Sequence, residues 1–376
     1  MHAWRGAALA FAVGLAGCAV DGSASIGHGA PSPSGGGQPM GSEGGHAQPT
    51  PPPPPPSTGA AYSGPFRILV LSKTLGFRHD SIPACQQMLR DLGRCVDAAS
   101  CAKTGDAVIA GAQPNSSFAV DVAGAPAGCP ELPSDPATAA TSAYSAYASM
   151  GCDGSSDDMS EFDAANLDVA QFHAGASKGP YQMVFFCLPS GTVFSSDGVN
   201  GPAAMTAVQD FIEGGGAYGG LSAAIAIEDA GAFPWYTKEL LGASSMGFAG
   251  GESGTIETVA QNAAHPVMRG IPNPWVAVDE WWLEDLPVDN KSGFHVLATL
   301  SGVPGGAVHG ATPSQQPPTG GFPVVWVKPF PVASDPTGTF EGRMFYTVRG
   351  AQIARYGEPL FRQLVHQGIL WAAHRM

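Results

Sequence analysis

The sequence is short of charge, and of positive charge above all. Only 13% of its residues are Asp, Glu, Lys or Arg, and 17 basic residues stand against 31 acidic ones, a formal net charge of −14. That balance argues against nucleic acid and against anionic membrane surfaces as partners. The apolar segment Ala7–Leu15 is too short to cross a bilayer as a helix. No CxxC or Cys/His spacing suggests zinc. Gly214, Gly215 and Gly216 lack the Lys-Ser/Thr of a phosphate-binding loop and follow a helical pattern rather than a strand. No cofactor and no metal is implied.

What is present falls into three parts. Residues 1–17 read as an export signal, with Arg5 ahead of the apolar segment. The segment ends in Leu15-Ala16-Gly17-Cys18, which resembles the bacterial lipoprotein processing box. That resemblance implies cleavage before Cys18, lipidation of Cys18, and a lipid-anchored protein of the cell envelope, at the outer membrane or cell surface. Each buried CH₂ of an acyl chain contributes roughly 0.8 kcal/mol, so several chains hold firmly. Residues 18–64 are rich in Gly, Ser and Pro, with an unbroken run Pro51–Pro56 that favours a stiff polyproline II spacer. Residues 65–376 suffice for one large domain. Six cysteines remain beyond Cys18. In an exported chain they can form disulfides. Cys129 and Cys152 flank a low-complexity insertion near 123–160 and are the favoured pair. Cys95 with Cys101 is a local alternative, and Cys187, in an apolar run, reads as a buried free thiol.

The domain is organised around residues 67–93. Ile68, Leu69, Val70 and Leu71 form an apolar run suited to a strand covered on both faces. A polar loop with Lys73, Arg78, His79 and Asp80 follows. A helix comes next, with Asp80 or Ser81 as cap, Pro83 in the first turn and Gly93 just past its end. Further strands are expected at Phe118–Val122, Tyr181–Leu188, Ala217–Leu221, Gly254–Val259, Trp275–Val278, His295–Leu300, Val324–Lys328 and Met344–Val348, with helices over 202–213 and from about Pro359 to Ala373. Strand–helix–strand alternation predicts an α/β fold with a mostly parallel central sheet flanked by helices. Ligands then bind beyond the carboxyl ends of the strands, where the His79 loop should lie. Asp153, Asp157, Asp158 and Glu161 lack the spacing of an EF-hand and read as a solvated loop.

Several ordered stretches resemble the ThuA-like (trehalose-utilisation) family. They are Ser72-Lys73-Thr74-Leu75-Gly76-Phe77-Arg78-His79-Asp80-Ser81-Ile82, the triple glycine, Pro234-Trp235-Tyr236, His265-Pro266-Val267-Met268-Arg269-Gly270-Ile271-Pro272, Asp279-Glu280-Trp281-Trp282, Val296-Leu297-Ala298-Thr299, Pro323-Val324-Val325-Trp326, Gly342-Arg343-Met344-Phe345-Tyr346-Thr347 and Gly368-Ile369-Leu370-Trp371-Ala372-Ala373. The resemblance implies a flavodoxin-like, class I glutamine-amidotransferase-like fold and an association with carbohydrate. Three histidines usual in that family are missing. Gly219-Gly220-Leu221-Ser222 stands for Gly-Ile-His, Gly350-Ala351 for Gly-His, and Ser244-Ser245-Met246-Gly247 replaces a His-Pro. Their loss favours binding over turnover.

Candidate chemistry follows. Amidotransferase relatives place a cysteine at a sharp strand-to-helix turn. Here the turn Gly219–Ala224 has none, and Ser222 is the candidate nucleophile, with His79 as its base. His79 beside Asp80 can act as general base, metal ligand or sugar hydrogen-bonding group, or Asp80 can simply cap the helix with His79 packed at the loop. Asp279 and Glu280, adjacent on a strand, point to opposite faces, and one can pair with Arg78 or Arg349. His265 reads as a loop-fixing residue. All tryptophans after Trp4 lie beyond residue 230. Trp235 and Trp281, with Tyr236, are candidate sugar-stacking residues beside Arg78, Asp279, Glu280 and Arg349, and Trp282 is a further one. Trp326 and Trp371 are expected in the core. Three readings follow: a carbohydrate or small polar ligand bound at an anchored domain, a hydrolase or carbohydrate-modifying enzyme using Ser222 or His79 and Asp80, and a structural envelope lipoprotein without a site.

Overall fold

The computed structural model describes residues 62–134, 141–167, 181–198, 200–228, 231–284, 288, 293–301, 308–310, 321–333, 335 and 340–376. The expected export signal, Cys18 and nearly all of the tether lie outside them. A ten-stranded sheet runs through the described residues in the order β2-β1-β3-β4-β10-β9-β7-β5-β6, with β8 on β5. The strands are β1 (Phe66–Leu71), β2 (Phe118–Val122), β3 (Met183–Cys187), β4 (Ala217–Leu221), β5 (Ser245–Thr258), β6 (Trp275–Glu284), β7 (His295–Leu300), β8 (Val308–Gly310), β9 (Phe322–Pro331) and β10 (Glu341–Thr347). Helices α1 (Ile82–Arg94), α2 (Ala98–Ala102), α3 (Thr141–Ser149), α4 (Gly201–Glu213) and α5 (Pro359–Ala372) accompany them.

The α/β class holds, but the sheet is mixed rather than mostly parallel. β2, β1, β3, β4 and β10 are parallel neighbours. From β10 onward every pairing is antiparallel, through β9, β7, β5, β6 and β8. The cause is local. A parallel step needs a crossover of a dozen or more residues, usually a helix. Between β5 and β10 the described connections carry only short 3-10 turns, Ala260–Asn262 and Pro266–Met268. Strands without crossover helices turn back on their neighbours.

Helix α1 shows how close packing overrides the expected stop signal. Gly93 lies inside the helix, and Cys95 is its C-cap. A Cβ on Gly93 would overlap the carbonyl oxygen of Phe118 on β2. The glycine is there to let helix and strand approach, not to end the helix. Neither Asp80 nor Ser81 caps α1 with its side chain. The Ser81 hydroxyl instead donates to the Ala351 carbonyl, 2.7 Å away, tying the loop after β1 to the loop after β10. Gly93→Ala should cost about 2 kcal/mol, since overpacking outweighs alanine's better helix propensity. A urea midpoint unchanged from wild type would contradict this packing.

The insertion near 123–160 is anchored rather than solvated. Asp153 is fully buried and pairs with Arg78, and Asp157 is buried too. Burial pushes the Asp157 carboxyl up to about 6. Disulfides join Cys129 to Cys152 and Cys95 to Cys101. The expected free thiol of Cys187 is instead bonded to Cys85, with Cα atoms 6.3 Å apart, fastening α1 to the end of β3. Cross-links over longer loops remove more entropy from the unfolded chain.

Candidate functional site

The parallel half of the sheet brings four chain segments to one rim. In register, Leu71 of β1 stands beside Phe186 of β3, Cys187 beside Leu221 of β4, and Leu221 beside Thr347 of β10. The loops that follow these strands therefore emerge together. Thr74 bridges Ser190, and Gly191 bridges Ile227. The Ser190 hydroxyl donates to the Phe77 carbonyl at 2.5 Å. The His79 loop and the Ser222 turn thus share an edge.

At the end of β4 the chain enters a 3-10 turn, Ser222–Ala226. Ser222 has φ +48°, a left-handed conformation that L-residues rarely adopt. Three tyrosines brace this elbow. Tyr346 donates to the Ser222 carbonyl. Tyr236 donates to the Ala224 carbonyl at 2.7 Å and lies 2.8 Å from the Tyr218 hydroxyl. The Ser222 hydroxyl is fully buried and accepts the Trp282 indole N–H at 3.0 Å.

Trp282 links the elbow to the histidine loop. Its ring lies edge-on to His79, with centroids 6.4 Å apart, and His79 in turn packs edge-on to Phe77 at 5.0 Å. Phe77 is 72% exposed while His79 is buried. Burial lowers the His79 imidazole to about 4, with Asp80 opposing, so the ring is neutral at neutral pH. The Asp80 carboxylate is itself exposed and only 3.5 Å from Arg78 Nη1. Arg78 is taken up mainly by Asp153, through Nε at 2.9 Å and through Nη2. A small, shallow cleft opens beside this pair, lined by Arg78, Asp80, Tyr144, Ser145 and Ile353.

Strand β6 crosses this rim, and its alternation sorts the acidic and aromatic candidates. One face carries Trp275, Asp279 and Trp281, all buried. There Asp279 accepts from Arg349 Nε at 3.2 Å and from the Gly350 N–H at 3.0 Å. Arg349 also donates to Glu358 at 2.8 Å and stacks on Trp275, 4.4 Å from the ring centroid. The other face descends from solvent into the elbow: Val276 is 64% exposed, Val278 37%, Glu280 half-buried, Trp282 9%. Glu280 lies opposite a bulge in β5, where register skips between Ala249 and Glu252. Bulges of this kind re-aim side chains beside functional sites. Its Oε1 is buried without a hydrogen-bond partner. Burial first, then the Asp279 charge, pushes the Glu280 carboxyl up to about 7.

The expected site residues therefore separate. His79 and Ser222 meet around Trp282, and Glu280 lies two residues before that tryptophan on the same face of β6. Asp279 and Arg349 border the same rim but are buried in their own ion pair. Trp281 faces the core with Asp279, so it is not available to stack on a ligand. Tyr236 is buried beneath the elbow as a brace. Trp235 lies at the opposite end of the sheet: its N–H donates to Glu213, the last residue of α4, at 2.5 Å, and it packs on Phe330, paired with Gly342 where β10 begins. His265 fixes its turn, Nδ1 accepting the Val267 N–H at 3.3 Å. Sequence reasoning missed Tyr346 and Phe77. Tyr346 had only its alternation within an apolar strand as a signal, and Phe77 only its place two residues before His79. Among the described residues no group of three or more His, Cys, Asp or Glu could hold a metal ion.

Comparison with known proteins adds a family. The sequence profile described as ThuA, trehalose utilisation, matches residues 67–372. No curated protein matches. Similar solved structures include a ThuA-like protein of Bacteroides uniformis, 14% identical, covering 83% of this chain and 94% of that one, with TM-score 0.49. A ThuA-like protein of Parabacteroides merdae is 16% identical over 82% of this chain and 90% of its own, with TM-score 0.44. A Salmonella typhimurium protein described as cytoplasmic is 9% identical over 82% and 98%, with TM-score 0.40.

Proposed function

This chain belongs to the ThuA family, and from that premise we propose that it binds a neutral carbohydrate at the rim formed by His79, Glu280 and Trp282, as a domain lipid-anchored through Cys18 in the cell envelope. The observation that carries the reading is Glu280, a half-buried carboxylate with an unpartnered oxygen, placed between exposed Val278 and the buried indole of Trp282. An unsatisfied buried acceptor costs about 1–3 kcal/mol, and a sugar hydroxyl would relieve it. Exposed Phe77 supplies aromatic surface for the apolar face of a pyranose, and neutral His79 can both donate and accept. A bound sugar needs no counter-charge, in keeping with Arg78 and Arg349 already being paired. The family's description makes trehalose the first ligand to try.

Titration calorimetry of the full chain against a sugar panel tests this. Glu280→Gln should weaken binding about tenfold or more, the worth of a hydrogen bond to a charged group. Affinity should rise as pH increases through about 7, because the ionised carboxylate accepts from two hydroxyls, and binding should release a proton. A panel without a binding sugar, or an unchanged Glu280→Gln, would overturn the reading.

A further inference from the structure

We infer that Ser222 is a positioning residue, whose hydroxyl, turned inward at the strained elbow, holds the Trp282 indole against His79 rather than attacking a substrate. A left-handed non-glycine residue at a strand end is sustained only where its surroundings over-determine it. Here they do. Tyr346 holds the Ser222 carbonyl from one side, and Tyr236, itself held by Tyr218, fixes the Ala224 carbonyl two residues on.

A nucleophile at such a turn presents its hydroxyl to substrate with a base about 2.6–3.2 Å away. Ser222 does neither. Its side chain is fully buried, its oxygen accepts the indole N–H, and His79 makes no hydrogen bond to it. His79 instead meets the ring of the same indole. An indole with its N–H tied down cannot turn about its side-chain torsions without losing that bond. The serine therefore sets which part of Trp282 faces His79. In its ligand readout this inference rests on the carbohydrate reading; in its contact readout it does not.

Glycine is the informative substitution, because it occupies φ +48° without strain while removing the hydroxyl together with its carbon. In the full chain, Ser222→Gly should change the tryptophan emission, and that change should vanish when the background is Trp282→Phe. The melting-temperature effects of the two substitutions should likewise be non-additive. If a sugar binds the wild type, Ser222→Gly should weaken it about tenfold. A fluorophosphonate probe should leave wild-type Ser222 unlabelled. Labelling of Ser222, or additive effects with an emission unaltered by Ser222→Gly, would overturn the inference. Failure of the sugar panel alone would sink the carbohydrate reading and leave the emission and melting tests standing.

Discussion

Asp279→Ala should destabilise the protein by about 3 kcal/mol, the cost of stripping a buried guanidinium of its buried carboxylate and leaving it with Glu358 alone. Arg349 is fully buried, and Asp279 is its closest carboxylate on the β6 side. The Asp279 carboxylate also accepts the Gly350 N–H and, at 2.9 Å, the Glu280 N–H, so it holds β6 against the loop after β10. Burial raises the Asp279 carboxyl, and Arg349 with these two N–H groups only partly pulls it back. Replacing both partners, as Asp279→Leu with Arg349→Met, should cost less than the sum of the single changes, because neither member of the fully buried pair is left alone and Glu358 keeps Arg355. Urea denaturation measures all of these. If Asp279→Ala left stability within about 1 kcal/mol of wild type yet abolished sugar binding, the pair would belong to the ligand site.

Acid should destabilise the protein progressively as pH falls below about 6.5, and the buried histidines are the reason. Burial lowers His79 and His366 to about 4, and His265 and His374 to about 3. An unfolded chain protonates these imidazoles near pH 6.5, while the folded chain refuses the protons until far lower. Between those limits the unfolded state binds more protons, so stability is present above about pH 6.5 and is lost as pH falls. Each such group removes about 1.4 kcal/mol per pH unit. Glu280 and Asp157 work the other way, because their folded-state values of about 7 and about 6 favour the protonated folded form as pH falls. Burial raises Asp91 and Asp279 as well. Four histidines against Glu280 and Asp157 leave a net loss of about 3 kcal/mol per pH unit between about pH 6 and pH 4.5, part of which Asp91 and Asp279 offset, a sizeable share of an ordinary 5–15 kcal/mol. Urea denaturation along a pH series reads the loss. His366→Gln should make it smaller, and a stability unchanged between about pH 6 and about pH 4.5 would contradict the account.

Much of the local architecture was legible from residues alone. The apolar run of β1 announced a strand covered on both faces, Pro83 announced the first turn of α1, and the apolar spacing after Pro359 announced α5. The loop carrying His79 could be set at the strand ends because parallel strands place their following loops on one edge. What the chain could not disclose was pairing between distant segments. Cys85 and Cys187 are separated by 102 positions, and an apolar neighbourhood around Cys187 does not say which thiol it meets. The antiparallel half followed from missing crossover helices, a consequence of connections rather than of strand composition.

The candidate site turned on a finer point. β6 extends to Glu284, well past Val278, and its period of two sends Trp281 to the core and Trp282 to the rim with Glu280. Two adjacent tryptophans look alike in composition, and a one-residue change of register would exchange them. By itself the sequence determined the helices, most strands, the loop that bears His79 and the residue types available for binding. Only the tertiary structure decided which side chains face one another, because a strand's buried face is chosen by the layer packed against it and by its partner's bulges.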